Sequence, residues 1–185
     1  MNFLFNKYSH FNLANIVTFF NIASGIFAIY FLTHNQFFVA ALFAWLAGAF
    51  DIFDGKIARK YNLSTEFGIQ LDSYADFLSF VIVPAMFIYF AIFDGKEEFF
   101  NMALVAAAFI YYIISGLRRL IQFNLNAEEG EVEKYFTGVP TPLGAILLWV
   151  VYLVYLTGFV HEYFVLGMMV IIGFLLNSKV KIKHL

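Results

Sequence analysis

Six long apolar runs, at about residues 12–33, 36–58, 68–92, 98–124, 140–157 and 161–177, follow one another with polar breaks between them. A helix rises about 1.5 Å per residue, so roughly 20 apolar residues cross a hydrocarbon core about 30 Å thick. One buried core helix of a soluble domain accounts for one such run, not six. The chain is 62% hydrophobic and only 13% charged, with a mean hydropathy of +0.79, against roughly 25% charged in ordinary globular domains. In lipid, backbone polar groups have to be satisfied within the segment, which makes these runs helices. The expected fold is therefore all-α, a polytopic membrane bundle of six transmembrane helices.

The breaks at Thr33–Gln36, Asp94–Glu98 and Thr157–Glu162 are short, whereas 59–67 and 124–140 are longer and polar. With the runs placed as helices, ten of the eleven basic residues fall on one side: Lys7, Lys56, Arg59, Lys60, Arg118, Arg119, Lys134, Lys179, Lys181 and Lys183, leaving only Lys96 on the other. Lys and Arg are retained on the cytoplasmic face during insertion, so both termini are expected there, in a multi-pass protein of the cytoplasmic membrane. No repeat or long linker divides the chain, and residues 1–185 are expected to form a single membrane domain. Residues 2–12 alternate Phe, Leu and Tyr with polar side chains, a pattern that suits an interfacial amphipathic helix or a disordered lead-in. Met1–His10 has no small-residue cleavage site and does not read as a cleaved signal. The acidic stretch Glu128, Glu129, Glu131 and Glu133 reads as a solvated loop. The basic tail Lys179, Lys181 and Lys183 suits lipid headgroups or simply sets topology. There is no nucleic-acid-binding patch, and without cysteine the chain forms neither a disulfide nor a thiolate metal site.

Oxygen ligands are what remain, and they are concentrated. Asp51 and Asp54 stand three residues apart, and Asp72 and Asp76 four apart, on consecutive predicted helices. Either spacing puts two carboxylates on one helix face. Four like charges at the edge of a bilayer need compensation. Helix-end pairing with Lys56, Arg59 and Lys60, or an ion pathway through a transporter, would supply it, but divalent metal is the simplest compensator. Carboxylates suit hard cations such as Mg2+, Mn2+ or Ca2+, and four of them with room for substrate phosphate suit two ions. Gly55 and Gly68 flank the two pairs and let a ligand approach the backbone. Arg59, one turn beyond Gly55, offers a guanidinium to a phosphate, or else sets topology.

Asp51, Asp54, Gly55, Ala58, Arg59, Gly68, Asp72 and Asp76 together follow D-x2-D-G-x2-A-R-x8-G-x3-D-x3-D without departure. In this the chain resembles the CDP-alcohol phosphotransferases. The resemblance implies a six-helix enzyme, usually a homodimer, that moves a phosphatidyl-type group from a CDP-linked alcohol to a hydroxyl and releases CMP at a site facing the cytoplasm. It further implies that Asp51, Asp54 and Asp72 hold one metal ion and Asp51, Asp72 and Asp76 a second, the ions being Mg2+ or Mn2+. Asp76 would also take the proton of the acceptor hydroxyl. Asp51, Gly55, Ala58, Arg59 and Gly68 would contact the CDP-lipid. Asn15-Ile-Val-Thr18 looks like the N-x-x-T near the nucleotide site of many relatives; such residues also serve as caps or interhelical hydrogen bonds.

Two further segments, 116–124 with Arg118, Arg119 and Asn124, and 136–142 with Gly138, Pro140 and Pro142, are similar to stretches of the phosphatidylserine synthase branch. The first departs by an inserted shift, the second by Val139 in place of Leu. This resemblance implies CDP-diacylglycerol and L-serine as substrates, with Arg118 or Arg119 a cation for the serine carboxylate. Glycerol phosphate and inositol phosphate acceptors would want cations as well, and Pro140 and Pro142 also suit the start of a helix.

Overall fold

The computed structural model describes residues 3–95, 99–128, 135–178 and 181–183. Glu129, Glu131 and Glu133 of the acidic stretch, and Lys96, Lys134 and Lys179, lie outside the described residues. Helices α1 (Leu13–Thr33), α2 (Phe37–Lys60), α3 (Glu66–Asp76), α4 (Val83–Ile88), α5 (Phe99–Glu128), α6 (Thr141–Leu156) and α7 (Glu162–Leu176) carry the fold. The third apolar run is helical over Glu66–Phe93, with π-helical turns at Phe77–Ile82 after α3 and at Tyr89–Phe93 after α4. The chain divides into two compact units, Met1–Ser79 and Phe80–Leu185.

In the first unit α1 and α2 form a helical hairpin. Its tight turn uses Asn35 at φ 57°, a left-handed conformation that Asn tolerates. The buried face of α2 is Ala40, Ala44 and Ala47, and that of α1 includes Ala14, Thr18, Asn21, Gly25 and Ala28. Apolar side chains gain nothing by leaving lipid for protein, so helices associate in a membrane where small residues let backbones approach. Phe43 adds rings against Phe27 and Phe31, both with centroids 5.3 Å away. The side chain of Asn12 caps α1, accepting from Asn15 N at 3.0 Å, and that of Thr65 caps α3, accepting from Gly68 N at 3.0 Å.

Residues 3–12, where an interfacial helix was one expectation, do not form a continuous helix. A single 3-10 turn at Phe3–Phe5 is followed by turns in which the side chains of Asn6 and Ser9 accept from the backbone N–H groups of Tyr8 and Phe11. Such local side-chain bonds offer the backbone an alternative to the helix.

The second unit packs α5 and α6 against α7 around Tyr112, Leu148, Val165, Met169, Ile172 and Leu176, all fully buried. Phe87 of α4 meets Trp149 and Tyr152 of α6. Two short strands, β1 (Tyr135–Thr137) and β2 (Lys181–Lys183), pair antiparallel and add a small ribbon to the otherwise helical fold.

Among the described residues, four helices are long and apolar enough to cross a membrane: Leu13–Thr33, Phe37–Lys60, Glu66–Phe93 and Met102–Leu125. Helices α6 and α7, with 16 and 15 residues, are apolar but shorter. The runs at 140–157 and 161–177 lose residues to Pro140, whose extended backbone precedes α6, and to the turn at Gly158 with φ 77°.

Candidate active site

Helix register brings the carboxylates together. From Lys60 back to Asp54 and Asp51 is about 9 and 14 Å along α2, and from Glu66 forward to Asp72 and Asp76 is about 9 and 15 Å along α3. The five-residue connection 61–65 reverses the chain, so the pairs reach equal depth. It is anchored by Leu63, which is buried and whose N–H donates to Ala58 O at 2.9 Å.

Asp51, Asp72 and Asp76 each present a carboxylate oxygen, and the three lie within 4.8 Å of one another. Ligand oxygens about 2.1–2.6 Å from a shared hard cation stand up to roughly 4.2–5.2 Å apart, so this triad fits a divalent ion. Asp51 and Asp76 approach within hydrogen-bonding distance of each other. Two carboxylates that close repel unless positive charge lies between them. Asp54 sits one turn along α2, buried, with Thr18 of α1 hydrogen-bonded to its carboxylate. Asp54 Oδ2 and Asp76 Oδ1 are buried acceptors without a partner among the described residues. A buried carboxylate oxygen is costly to leave bare, and at Asp54 a cation is the partner that suits it. The donor set, all oxygen, fits Mg2+ or Mn2+.

Beside the triad is a cavity of about 210 Å³ lined by Asn15, Thr18, Asp54, Gly55, Ala58, Arg59, Gly68 and Asp72, together with Ala14, Leu63, Ser64 and Ile69. All six of the residues singled out for the CDP-lipid besides Asp51 are in that wall. Gly68 is there for space, because a Cβ on it would sit 2.9 Å from Asn15 Oδ1. Asn15 is itself held, its Nδ2 donating to His10 O at 3.0 Å.

A sequence model of CDP-alcohol phosphatidyltransferases matches residues 11–176. The chain belongs to this family. Among its relatives, the CDP-diacylglycerol–serine O-phosphatidyltransferase of Helicobacter pylori is 28% identical over 172 residues, covering 90% of this chain and 70% of the relative. The enzyme of the same name from Bacillus subtilis is 30% identical over 133 residues, 72% of this chain and 71% of the relative. Archaetidylserine synthase of Methanothermobacter thermautotrophicus is 30% identical over 171 residues, 91% of this chain and 68% of the relative.

In this CDP-alcohol phosphatidyltransferase the acceptor candidates lie on α5. Arg118 is exposed, Asn124 half-buried, and Arg119 buried with its Nε donating to Val139 O at 3.2 Å. That bond ties together the two segments that the sequence singled out separately. Segment 138–140 is docked on the end of α7, where Val139 N donates to Leu175 O at 3.1 Å. Gly138 adopts φ +92°, and a Cβ there would meet Leu176 O at 2.7 Å. Arg119 is thus held by the backbone, and Arg118 is the arginine turned to the surface.

Sequence reasoning missed Asn12, Leu63 and Ser64. Asn12, fully buried, both caps α1 and reaches Leu63 O at 3.4 Å, bracing the loop under the cavity. A capping residue directly before an apolar run was a readable signal. Leu63 carried none.

Proposed function

We propose that this chain transfers the phosphatidyl group of CDP-diacylglycerol to the hydroxyl of L-serine, forming phosphatidylserine and CMP. The carrying observation is that Asp54, Gly55, Ala58, Arg59, Gly68 and Asp72 line one cavity beside the Asp51, Asp72 and Asp76 triad. The names of the relatives support serine as acceptor: they agree on it across a phosphatidyl and an archaetidyl lipid.

In this mechanism Asp51, Asp54 and Asp72 would hold one divalent ion, Mg2+ or Mn2+, and Asp51, Asp72 and Asp76 a second. When bound, the metal supplies positive charge that neutralises the pyrophosphate and the charge building on departing CMP. Arg59 offers its guanidinium to a phosphate oxygen pair, and Asn15 and Thr18 orient the nucleotide end. Asp76 accepts the proton of the serine hydroxyl as that oxygen forms a bond to the phosphatidyl phosphorus. The bond from this phosphorus to the bridging oxygen breaks, and its electron pair leaves with CMP. Arg118, Arg119 and Asn124 are the candidates that the resemblance offers for the serine carboxylate.

The same proposal includes six membrane spans with both termini and the site on the cytoplasmic side, as the placement of basic residues suggests. The family match across 11–176 supports one functional membrane domain, and the resemblance supports a homodimer. Purified protein given CDP-diacylglycerol, Mn2+ and labelled serine is expected to release CMP and form labelled phosphatidylserine. CMP release with glycerol phosphate but not serine would reassign the acceptor, and none with any alcohol would overturn the enzyme.

A further inference from the structure

Below the acidic cluster lies a polar contact that the chemistry above leaves unused. Asn15, Thr18 and Asn21 follow one another at three-residue spacing on the buried face of α1. Asn21 is fully buried, and its Oδ1 accepts from Ser79 Oγ at 2.6 Å. Ser79 lies in the π-helical turn that begins directly after Asp76, one turn beyond that residue. The approach is made possible at Gly25, one turn along α1 from Asn21, where a Cβ would stand 3.1 Å from Leu78 and 3.3 Å from Ser79 Oγ. π-helical turns inside α-helices occur frequently at functional sites.

Asn21 has a second polar atom, and Nδ2 is a buried donor with no partner among the described residues. Asp76 has a buried acceptor with no partner among the described residues, Oδ1. Residues three apart on a helix have Cβ atoms about 5–6 Å apart, which places the amide that Ser79 holds about one turn from the Asp76 carboxylate. One water making two hydrogen bonds of about 2.8 Å spans such a gap, and a buried water needs polar partners of this kind.

We infer that Asn21 and Ser79 form a positioning pair for Asp76, with Asn21 Nδ2 donating through a buried water to Asp76 Oδ1 while Ser79 fixes the amide. The pair orients the carboxylate for its metal and for the acceptor hydroxyl. This rests on the role proposed for Asp76. A donor to one oxygen leaves the other free to ligate, the arrangement by which outer partners orient ligands at metal sites.

The test is the Asn21→Leu/Ser79→Ala double variant, which removes both halves so that no buried partner is stranded, with Asn21→Leu alone beside it. Four quantities are read: Mn2+ affinity from free Mn2+ by EPR, the metal-free melting temperature, and kcat and KM at saturating Mn2+. The expected result is Mn2+ affinity and kcat each about tenfold or more below wild type. KM for CDP-diacylglycerol stays within about twofold, and the melting temperature within a few degrees. Mn2+ affinity and kcat both near wild type overturn the inference, as does a melting temperature falling in step with them, the mark of a merely structural pair. If wild-type protein turns over no alcohol, the enzyme reading fails by that result alone. The inference is then judged by Mn2+ affinity, and an unchanged value overturns it.

Discussion

Replacing Gly68 with Ala separates binding from folding at this site. The added Cβ falls 2.9 Å from Asn15 Oδ1 and 3.3 Å from Thr65 Oγ1. Relief of the first contact requires a shift of about 0.5 Å, since carbon–oxygen contacts below about 3.4 Å are repulsive. Asn15 is poorly free to give, being buried and tied through Nδ2 to His10 O. Overpacking of this kind costs about 1–3 kcal/mol, and the gain in helix propensity from Gly to Ala returns up to about 1 kcal/mol. The net loss of stability is therefore modest, about 0–2 kcal/mol. For the ligand, displacing the Asn15 amide removes one hydrogen bond worth about 1–1.5 kcal/mol, which is about tenfold in affinity. CMP release in mixed micelles at saturating Mn2+ should show KM for CDP-diacylglycerol raised about tenfold, with the melting temperature lowered by only a few degrees. Gly167→Ala, where a Cβ meets nothing within 4 Å among the described residues, is the control and should leave KM unchanged. An unchanged KM in Gly68→Ala would refute the crowding of Asn15, and so would a collapse in melting temperature that accounts for the lost activity.

Three other perturbations reach different parts of the molecule. Gly138→Ala imposes φ +92° on a side chain that also meets Leu176 O at 2.7 Å and Ser178 O at 2.9 Å; it should cost about 2 kcal/mol or more and be visible as a lowered melting temperature. Asp76→Asn should leave CDP-lipid binding, read by a pull-down with immobilised CDP-lipid, largely intact while abolishing turnover, whereas Asp51→Asn and Asp72→Asn should weaken metal-dependent binding itself; equal binding loss in all three would refute a separate role for Asp76. Chelation with EDTA should abolish CMP release and added Mn2+ should restore it, and activity persisting in EDTA would exclude the metal reading of the triad.

The apolar runs were readable because their length against the bilayer admits only helices, and the aspartates because spacings of three and four on helices fix their faces. Asn15, Thr18, Gly55, Ala58 and Arg59 came from the motif, and the fold brings them to one cavity wall. What could not be read was set by tertiary contact. Gly138 needs its left-handed backbone only because segment 138–140 lies on the end of α7, and nothing local announces that. By sequence Arg118 and Arg119 are equivalent, and the bond from Arg119 Nε to Val139 O is what distinguishes them. Residues 3–12 have the alternation of an amphipathic helix, but the side chains of Asn6 and Ser9 accept from the backbone N–H groups two residues on instead. Asn21 and Ser79, 58 residues apart, meet through a close helix approach at Gly25 that no spacing rule reveals.

The matched depth of the two carboxylate pairs, about 9–15 Å in from the helix ends, bears on how the substrate is delivered. A diacyl donor keeps its chains in the lipid while its pyrophosphate reaches the aspartates, so it is found by lateral diffusion within a plane. Serine, by contrast, arrives from the aqueous side in three dimensions. The two substrates thus obey different concentration scales, and turnover is governed by the mole fraction of CDP-lipid in the surface. Adding inert detergent at fixed total lipid should slow the enzyme although neither reactant has been diluted in the test tube.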